Sequence, residues 1–462
     1  MKNTADLDKR LVAVTPSPRQ VGHQQLEFYA FIHFTVNTFT DREWGDGTES
    51  PAIFNPAKLD AEQWVRAVKS AGMRGLILTC KHHDGFCLWP SKYTAHSVAS
   101  SPYKNGQGDV VLETADACRK HGLKFGVYLS PWDRNCPLYG QGKEYDDYFV
   151  NQLTELLTGY GEIFSVWFDG ACGEGPNGKK QVYDWERYYR VIREMQPNAC
   201  ISVCGPDVRW CGNEAGHTRL AEWSVVPERA KDSEIIYEKS QQEDNEAFRQ
   251  RRVDARDEDL GSRAVLASEE KLIWYPAEVN TSIRPGWFWH VSENDKVRGL
   301  EELIHIYNNS VGGNATFLLN IPPTSEGLLH ENDVKRLTEL GAYLDAAFRN
   351  NLLDSALVSN DAVRTDDYDT YCTDTEITAE WAAPVDIGNI VLKENILRSQ
   401  RIESFAVEVR ENGEYTAVYR GTVVGYKRIV PLKNVRTDSI RIKITDSRLE
   451  PAIAFLGIYE SV

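Results

Sequence analysis

Asp169 is the residue of this chain whose position most directly suggests chemistry. It follows the apolar run Val166–Phe168 and precedes a stretch of small residues, Gly170–Gly173. A charged group is costly to bury without a partner. A carboxylate at the end of an apolar strand therefore either caps the following turn or acts on a substrate, and position alone leaves both interpretations open.

Glu214 is a second acid with chemical potential. It lies in the sequence GNEAG, a glycine-flanked loop from which a long side chain can reach over a pocket. Glycoside hydrolysis needs one ionised carboxylate and one carboxyl group that holds a proton for the leaving oxygen. Asp169 suits the first role and Glu214 the second, although most glutamates in loops are simply solvated.

Apolar segments followed by amphipathic helical patterns predict the elements that carry these acids. The predicted strands are Phe28–Val36, Gly75–Cys80, Lys124–Ser130, Phe164–Phe168, Cys200–Cys204 and Thr316–Ile321. Strands that are apolar on both faces and alternate with helices indicate a parallel sheet covered by helices. We predict an α/β protein with a (β/α)8-like barrel, because no glycine-rich dinucleotide motif follows the first strand.

The sixth and seventh barrel strands are not clear from the sequence. Arg219–Val226 and Ile273–Val279 are the candidates. The segment between them, Pro227–Ser262, is long and charged. We interpret it as a surface excursion, with a functional lid as the alternative.

The C-terminal part of the chain changes to an alternation of apolar and polar residues. The alternation surrounds a hairpin signal at Asn412-Gly413 and recurs in Ser439–Thr445. This pattern predicts an antiparallel β-sandwich. We therefore expect two domains, a catalytic barrel over residues 1–346 and a sandwich over residues 347–462, with the sandwich supporting the barrel or binding sugar.

Composition argues against several classes of function. The chain has 52 Lys and Arg against 68 Asp and Glu, a net charge of −16, which disfavours nucleic acid and anionic membranes as partners. No apolar run approaches the ~20 residues of a membrane-spanning helix. Nine cysteines without a C-x-x-C pair fit reduced, packed thiols. The N-terminal residues do not resemble an export signal, so we expect a cytoplasmic protein or an exported one whose signal has been removed.

Polar and aromatic residues stand together after five of the predicted strands, where a barrel of this kind places its active site. Aromatic faces stack on the C–H side of a sugar, and His, Glu and Arg bind its hydroxyl groups. The pattern therefore predicts a carbohydrate pocket. Its candidate residues are His33, Glu43, Trp44, His82, His83, Tyr128, Trp167, Arg209, Trp210, Trp287 and His290.

Several segments together resemble the α-L-fucosidases of glycoside hydrolase family 29. They are FIHFTVNTFTDREWGDG, TCKHHDGFCLWPSKYT, GVYLSPWDRN, VWFDGA and DVRWCGNEAG, and SIRPGWFWH extends the match. The resemblance implies a retaining exo-hydrolase that removes terminal fucose, with Asp169 as the nucleophile. It also implies fucose contacts from His33, Glu43, Trp44, His82, His83, Tyr128, Trp167, Arg209 and Trp287.

The GNEAG motif, 45 residues after Asp169, resembles the branch of this family that prefers α-1,3/4-linked fucose on Lewis-type or branched glycans. In that branch the glutamate of the motif, here Glu214, is the acid/base. A retaining mechanism places the two carboxyl groups about 5–5.5 Å apart. Trp44 or Phe86 would supply an apolar wall for the methyl group of fucose.

Three alternatives remain beside this interpretation. A fucosidase of broader specificity would act on aryl fucosides and α-1,2 or α-1,6 linkages. A non-catalytic carbohydrate-binding protein could use the same fold. A metal-dependent hydrolase would use His82, His83 and Asp84, but adjacent residues on a strand point to opposite faces, which makes the histidines poor joint ligands. We therefore expect no metal, no cofactor, and fucosylated glycans as the partners.

Overall fold

The computed structural model describes residues 4–240, 258–411 and 413–462. In chain order its strands are β1 (Phe28–Ile32), β2 (Gly75–Lys81), β3 (Lys124–Leu129), β4 (Ser165–Phe168), β5 (Cys200–Val203), β6 (Arg209–Trp210), β7 (Val225–Pro227), β8 (Leu272–Trp274), β9 (Ala277–Ser282), β10 (Ala315–Asn320), β11 (Leu357–Val358), β12 (Glu376–Glu394), β13 (Ile402–Glu411), β14 (Glu414–Gly421), β15 (Arg428–Ser447) and β16 (Ile453–Glu460).

The longer helices lie mainly between the strands of the first two thirds of the chain. They are α1 (Thr4–Val12), α2 (Pro18–Leu26), α3 (Ala61–Ser70), α4 (Val110–His121), α5 (Lys143–Gly159), α6 (Trp185–Met195), α7 (Ser233–Lys239), α8 (Leu300–Ser310) and α9 (Glu331–Ala347). No helix in the described part of the chain combines the length and the apolar character needed to span a membrane.

Eight parallel strands form the barrel. Their order is β5-β4-β3-β2-β1-β10-β9-β6, and every neighbouring pair on this path is parallel. A parallel bridge between Ser202 and Val208 links β5 to the residue before β6 and closes the ring. The prediction of a (β/α)8-like barrel is confirmed.

The sixth and seventh strands differ from the candidates. β6 has only two residues, too few for an apolar pattern to reveal. The candidate Arg219–Val226 is wrong, because its end belongs to β7, which pairs antiparallel with β8 outside the barrel. The candidate Ile273–Val279 spans two strands, since Pro276 lies between β8 and β9 and a proline cannot donate to a strand ladder.

Helix α3 shows how the helices cover the barrel. The Asp60 side chain caps its N-terminus by accepting a hydrogen bond from the Gln63 backbone at 3.0 Å, and Trp64, Val65 and Val68 are buried on one face. The helix ends just before Gly72, whose φ of +84° suits glycine. The amphipathic pattern thus places the helix against the sheet, and the strand ends stay free to form a site.

The C-terminal strands form two layers from one hydrogen-bonded sheet. The two halves of the long strand β12 lie in different layers, because β12 pairs with β11 near its start and with β16 near its end. Register shifts follow Glu380 and Ile387 in β12, where the strand passes from one layer to the other. The antiparallel sandwich is confirmed. Gly413 and the paired strands β13 and β14 fit the predicted hairpin, whereas Asn412 lies outside the described residues.

The two parts of the chain are joined by buried charges. Glu27, before β1, accepts hydrogen bonds from the Tyr426 hydroxyl at 2.9 Å and the Lys427 ammonium at 2.8 Å. Burial opposes ionisation, but Lys427 and Lys393 lower the pKa of Glu27 to about 2. The sandwich therefore contributes packing and ion pairs to the barrel. The predicted domain boundary falls at the end of α9 and stays a prediction.

Candidate active site

A cavity opens at the C-terminal ends of the barrel strands and holds about 570 Å³ of space, including its mouth. Asp169 and Glu214 both open onto it. We call it the barrel cavity. It is lined by Phe31, His33, Glu43, Trp44, His82, His83, Trp167, Asp169, Gly170, Ala171, Val203, Trp210, Glu214, Ser240, Asn280 and Trp287.

Asp169 lies one residue past β4 and is held by two hydrogen bonds. Its Oδ1 accepts from the Ala171 backbone N–H at 2.9 Å, and its Oδ2 accepts from the Tyr128 hydroxyl at 2.9 Å. Burial raises the pKa of Asp169 above its usual range, while these two donors oppose the rise. One oxygen therefore closes a turn, as the capping interpretation requires, while Asp169 also lines the barrel cavity. Its action on a substrate stays a prediction.

His83 places a second polar atom beside the nucleophile candidate. Its Nδ1 lies 2.7 Å from the Ser130 hydroxyl, which donates its own proton to the Trp132 carbonyl. The hydrogen-bond network therefore assigns the proton of the ring to Nδ1. Burial lowers the pKa of His83 to about 3, so Nε2 carries a lone pair 3.7 Å from Asp169 Oδ2. A hydroxyl of a ligand can donate into this space.

His33 follows the same logic on the neighbouring strand. Its Nδ1 lies 2.8 Å from Oδ1 of Asn320, whose amide nitrogen donates to Ser282 and to the Trp287 carbonyl. The amide orientation makes His33 the donor at Nδ1. Burial lowers the pKa of His33 to about 4. The neutral ring thus leaves Nε2 as a further acceptor for a hydroxyl group.

Trp167 lines the barrel cavity beside Asp169, and Tyr128 packs behind it. Tyr128 is fully buried and does not line the cavity, so its predicted contact with the substrate is not supported. The two rings stack at 5.3 Å with an angle of 22°. The Trp167 indole N–H donates to Glu278 at 2.7 Å, and the Tyr29 hydroxyl donates to the other oxygen of the same carboxyl group. Glu278 is fully buried in the barrel, so it orients the indole from below the cavity.

Glu278→Gln is expected to raise the free energy of unfolding above that of the wild type, and this gain should be about 2 kcal/mol larger at pH 8 than at pH 5. Burial raises the pKa of Glu278 from 4.5 to about 7, so its protonated form favours folding and that contribution is lost as pH rises through 7. Glutamine still accepts from Trp167 and carries no charge. Thermal unfolding at both pH values measures the effect. The exposed Glu301→Gln is the control, and an equal change at both pH values would contradict the prediction.

Glu214 is held by the loop that follows β9. The Trp287 indole N–H donates to Glu214 Oε2 at 3.0 Å. The backbone of this loop is in turn bound by Glu43, whose oxygens accept from the Trp287 and Phe288 N–H groups at 2.8 and 3.1 Å. Glu43, Trp287 and Glu214 therefore form one connected group across three barrel loops.

Trp44 forms the side of the barrel cavity near His83. Its ring meets His83 edge-on at 5.4 Å and Trp132 at 5.6 Å. The alternative wall, Phe86, is wrong. It is fully buried and packs on Phe54 at 5.1 Å, away from the cavity. Of the two residues, the structure leaves Trp44 as the apolar wall.

Arg209 does not line the barrel cavity, so its predicted contact with the substrate is not supported. Its guanidinium pairs with buried Glu222 and donates to the carbonyls of Tyr275 and Trp223 at 3.0 and 2.7 Å. A buried guanidinium needs such partners. Arg209 therefore stabilises the segment after β6 from behind the cavity.

His82 and His83 lie closer together than strand alternation predicts. Their rings are 4.1 Å apart and both line the cavity. β2 ends at Lys81, so the alternation argument no longer applies to these residues. Ligand atoms of His82, His83 and Asp169 lie within 4.8 Å of one another and could hold a metal ion. Asp84 instead accepts hydrogen bonds from Thr35 and the Phe86 backbone.

The charged segment after β7 reaches the cavity, which corrects its interpretation as a surface excursion. Ser240, at the end of α7, lines the cavity wall. A Cβ added to Gly170 would lie 1.9 Å from Ser240 Oγ, so the residue after Asp169 must be glycine for this packing. Residues 241–257 of the segment lie outside the described residues.

Sequence reasoning missed two residues that shape the site, Asn280 and Val203. Asn280 accepts a hydrogen bond from the indole N–H of the predicted candidate Trp210 at 2.8 Å, and it lies on β9, a strand whose position the pattern left unclear. Val203 ends β5 with a φ of +68°, a strained conformation for a β-branched residue and one that is common at functional sites. Polar residues inside an apolar strand, such as Glu278 and Asn280, were the available signal.

This arrangement can bind and cleave a sugar. Two carboxyl groups share a cavity whose walls are indole rings and whose acceptors are neutral imidazoles. A parallel barrel with paired acids and aromatic walls at its C-terminal end defines the class of glycoside hydrolases.

Comparison with known proteins narrows this class. The α-L-fucosidase family model matches residues 19–347. α-L-Fucosidase 1 of Arabidopsis thaliana is 41% identical over 468 residues, which cover 96% of this chain and 87% of the plant protein. The chain belongs to the α-L-fucosidase family and is an α-L-fucosidase-type glycoside hydrolase.

Solved structures agree with this assignment. A glycoside hydrolase family 29 member from a rumen bacterium has a TM-score of 0.81 at 39% identity and covers 97% of this chain and 78% of its own. A family 29 fucosidase of Ruminococcus gnavus, solved with fucose, has a TM-score of 0.81 at 30% identity. The match covers 97% of this chain and 95% of the Ruminococcus gnavus chain.

Proposed function

We propose that this chain is a retaining, exo-acting α-L-fucosidase that prefers α-1,3/4-linked fucose on Lewis-type or branched glycans. The observation that supports the mechanism is the shared cavity of Asp169 and Glu214. Asp169 is short, rigid and oriented by Tyr128. Glu214 comes from a loop and carries the longer side chain. The Ruminococcus gnavus relative was solved with fucose, which supports fucose as the bound sugar.

In the first step Asp169 Oδ2 attacks the anomeric carbon of fucose while Glu214 gives its proton to the departing glycosidic oxygen. A covalent fucosyl-enzyme forms. Glu214, now a carboxylate, takes a proton from water, which attacks the same carbon and releases Asp169. Two inversions leave the configuration of fucose unchanged.

The neutral histidines would bind the hydroxyl groups of fucose. Nε2 of His33 and Nε2 of His83 are acceptors by the network described above, so a sugar hydroxyl donates to each. Trp44 would face the methyl group. His82 and Trp167 complete the wall on the side of Asp169.

Linkage preference is tested by comparing hydrolysis of an aryl α-L-fucoside, a Lewis-type trisaccharide, and α-1,2- and α-1,6-fucosylated oligosaccharides. We expect kcat/KM for the Lewis-type substrate to exceed that for the α-1,2 and α-1,6 substrates by about 10–200-fold, as contacts worth 1–3 kcal/mol produce. Comparable values for all linkages would favour the enzyme of broader specificity. Binding without turnover of any substrate would favour a non-catalytic sugar-binding protein.

The stereochemical outcome is a separate test. NMR of an early reaction mixture should show α-fucose before mutarotation produces the β-anomer. Initial β-fucose would contradict the retaining mechanism and the assignment of Asp169 as nucleophile.

A further inference from the structure

His290 lies behind the barrel cavity and is bound on both sides by carboxylates. Its Nδ1 is 2.6 Å from Asp41 and its Nε2 is 2.6 Å from Glu43. A carboxylate only accepts hydrogen bonds, so both ring nitrogens must donate and the ring is an imidazolium. Glu293 adds a third negative charge near the ring.

These three residues connect two loops that the chain keeps far apart in sequence. Asp41 and Glu43 follow β1, whereas His290 follows β9. The imidazolium leaves Glu43 oriented so that both of its oxygens also accept from the backbone of Trp287 and Phe288. The Glu43 and His290 side chains are only 10% and 13% exposed, so water screens their pairing little.

Gly286 shows how closely the parts of this group are packed. A Cβ added at this position would lie 2.5 Å from Glu43 Oε1 and 2.9 Å from His290 Cδ2. The backbone before Trp287 must therefore be glycine to bring the carboxylate and the imidazolium together.

Trp287 connects this group of residues to the barrel cavity. Its backbone is bound by Glu43, its carbonyl accepts from Asn320 at 2.8 Å, and its indole N–H donates to Glu214 at 3.0 Å. We propose that His290 is a positioning residue for catalysis: as an imidazolium between Asp41 and Glu43, it holds Trp287 where the indole orients Glu214 for proton transfer. This rests on the proposed acid/base role of Glu214.

Leaving-group dependence separates this role from a merely structural one. An oligosaccharide leaving group needs protonation, whereas a dinitrophenolate does not. We expect His290→Gln to lower kcat for a Lewis-type trisaccharide by up to about 100-fold, the cost of a misplaced catalytic group, with little change in KM. The rate constant for formation of the fucosyl-enzyme from 2,4-dinitrophenyl α-L-fucoside, measured in the pre-steady state, should be unchanged.

Two further variants test the same role, so that the result does not depend on whether any single variant folds. Asp41→Asn removes the outer charge at a side chain that is 71% exposed, and Gly286→Ala separates Glu43 from His290. Both should show the same split between substrates. Asp46→Asn is the matched control, because Asp46 lies in the same loop but pairs with Arg42.

Thermal unfolding gives a second readout. Glu43 and, to a smaller extent, Asp41 raise the pKa of His290 from 6.5 to about 9. A raised histidine pKa stabilises the folded chain fully below pH 6.5, and the stabilisation is lost as pH rises through 9. The wild type should therefore lose more stability than His290→Gln between pH 7 and pH 10.

The outcomes are distinct. If His290→Gln lowers the rate constants for both substrates equally, or for neither of them, the positioning role is wrong. Glu214→Gln is measured beside it. If that variant lacks leaving-group dependence, the acid/base assignment fails, whatever His290 does.

Discussion

Asp169→Ala is expected to lower kcat/KM for an aryl α-L-fucoside by about 10⁴-fold or more, which corresponds to at least about 5.5 kcal/mol of transition-state stabilisation. The variant lacks the atom that would bond to the anomeric carbon. Tyr128 and the Ala171 N–H lose their acceptor as well. Steady-state kinetics with the aryl substrate measures the loss.

Azide distinguishes loss of the nucleophile from loss of the fold. In Asp169→Ala the vacated space admits azide to the face that Asp169 attacked, and the product should be the fucosyl azide of inverted configuration. Asp169→Asn is the control, since its amide oxygen can still accept from Tyr128 while the group cannot act as a nucleophile. Wild-type turnover by either variant would refute the assignment.

The pH dependence of the wild type bears on the same residue. Attack requires the carboxylate, and burial raises the pKa of Asp169. The acidic limb of kcat/KM should therefore lie at a higher pH than the 3.8 of an ordinary aspartate. This limb reports the free enzyme.

Glu214→Gln is expected to lower kcat/KM for a Lewis-type trisaccharide by about 10²–10⁴-fold, the range typical of a lost general acid. Glutamine can still accept from the Trp287 indole, so the loop should keep its position while the proton is missing. The proposed sugar contacts from His33 and His83 would be unchanged, so KM should not rise.

Substrates of different leaving-group ability test this assignment. With 2,4-dinitrophenyl fucoside the first step needs no acid, so the variant should show a rapid burst followed by slow turnover as the fucosyl-enzyme accumulates. Azide should then restore turnover and produce the fucosyl azide of retained configuration. Equal losses on all substrates would remove Glu214 from the acid/base role.

The strands and the acids could be predicted because their signals are local. A buried strand followed by Asp169, or a helix such as α3 with one apolar face, is written in residues a few positions apart. The ends of parallel strands meet at one side of a barrel, which is why most candidate residues converge on the cavity. His33, Trp44 and His83 were found in this way.

The remaining features depend on contacts between residues far apart in the chain. β6 is too short to show a pattern, and it becomes a strand only because β9 pairs with it. Arg209 was predicted to contact the substrate, yet its guanidinium pairs with Glu222 and lies behind the cavity wall. A residue type shows which bonds a side chain can make. Closure of the barrel decides which hydrogen-bond partner each side chain meets. That partner sets the protonation state and the orientation of the side chain.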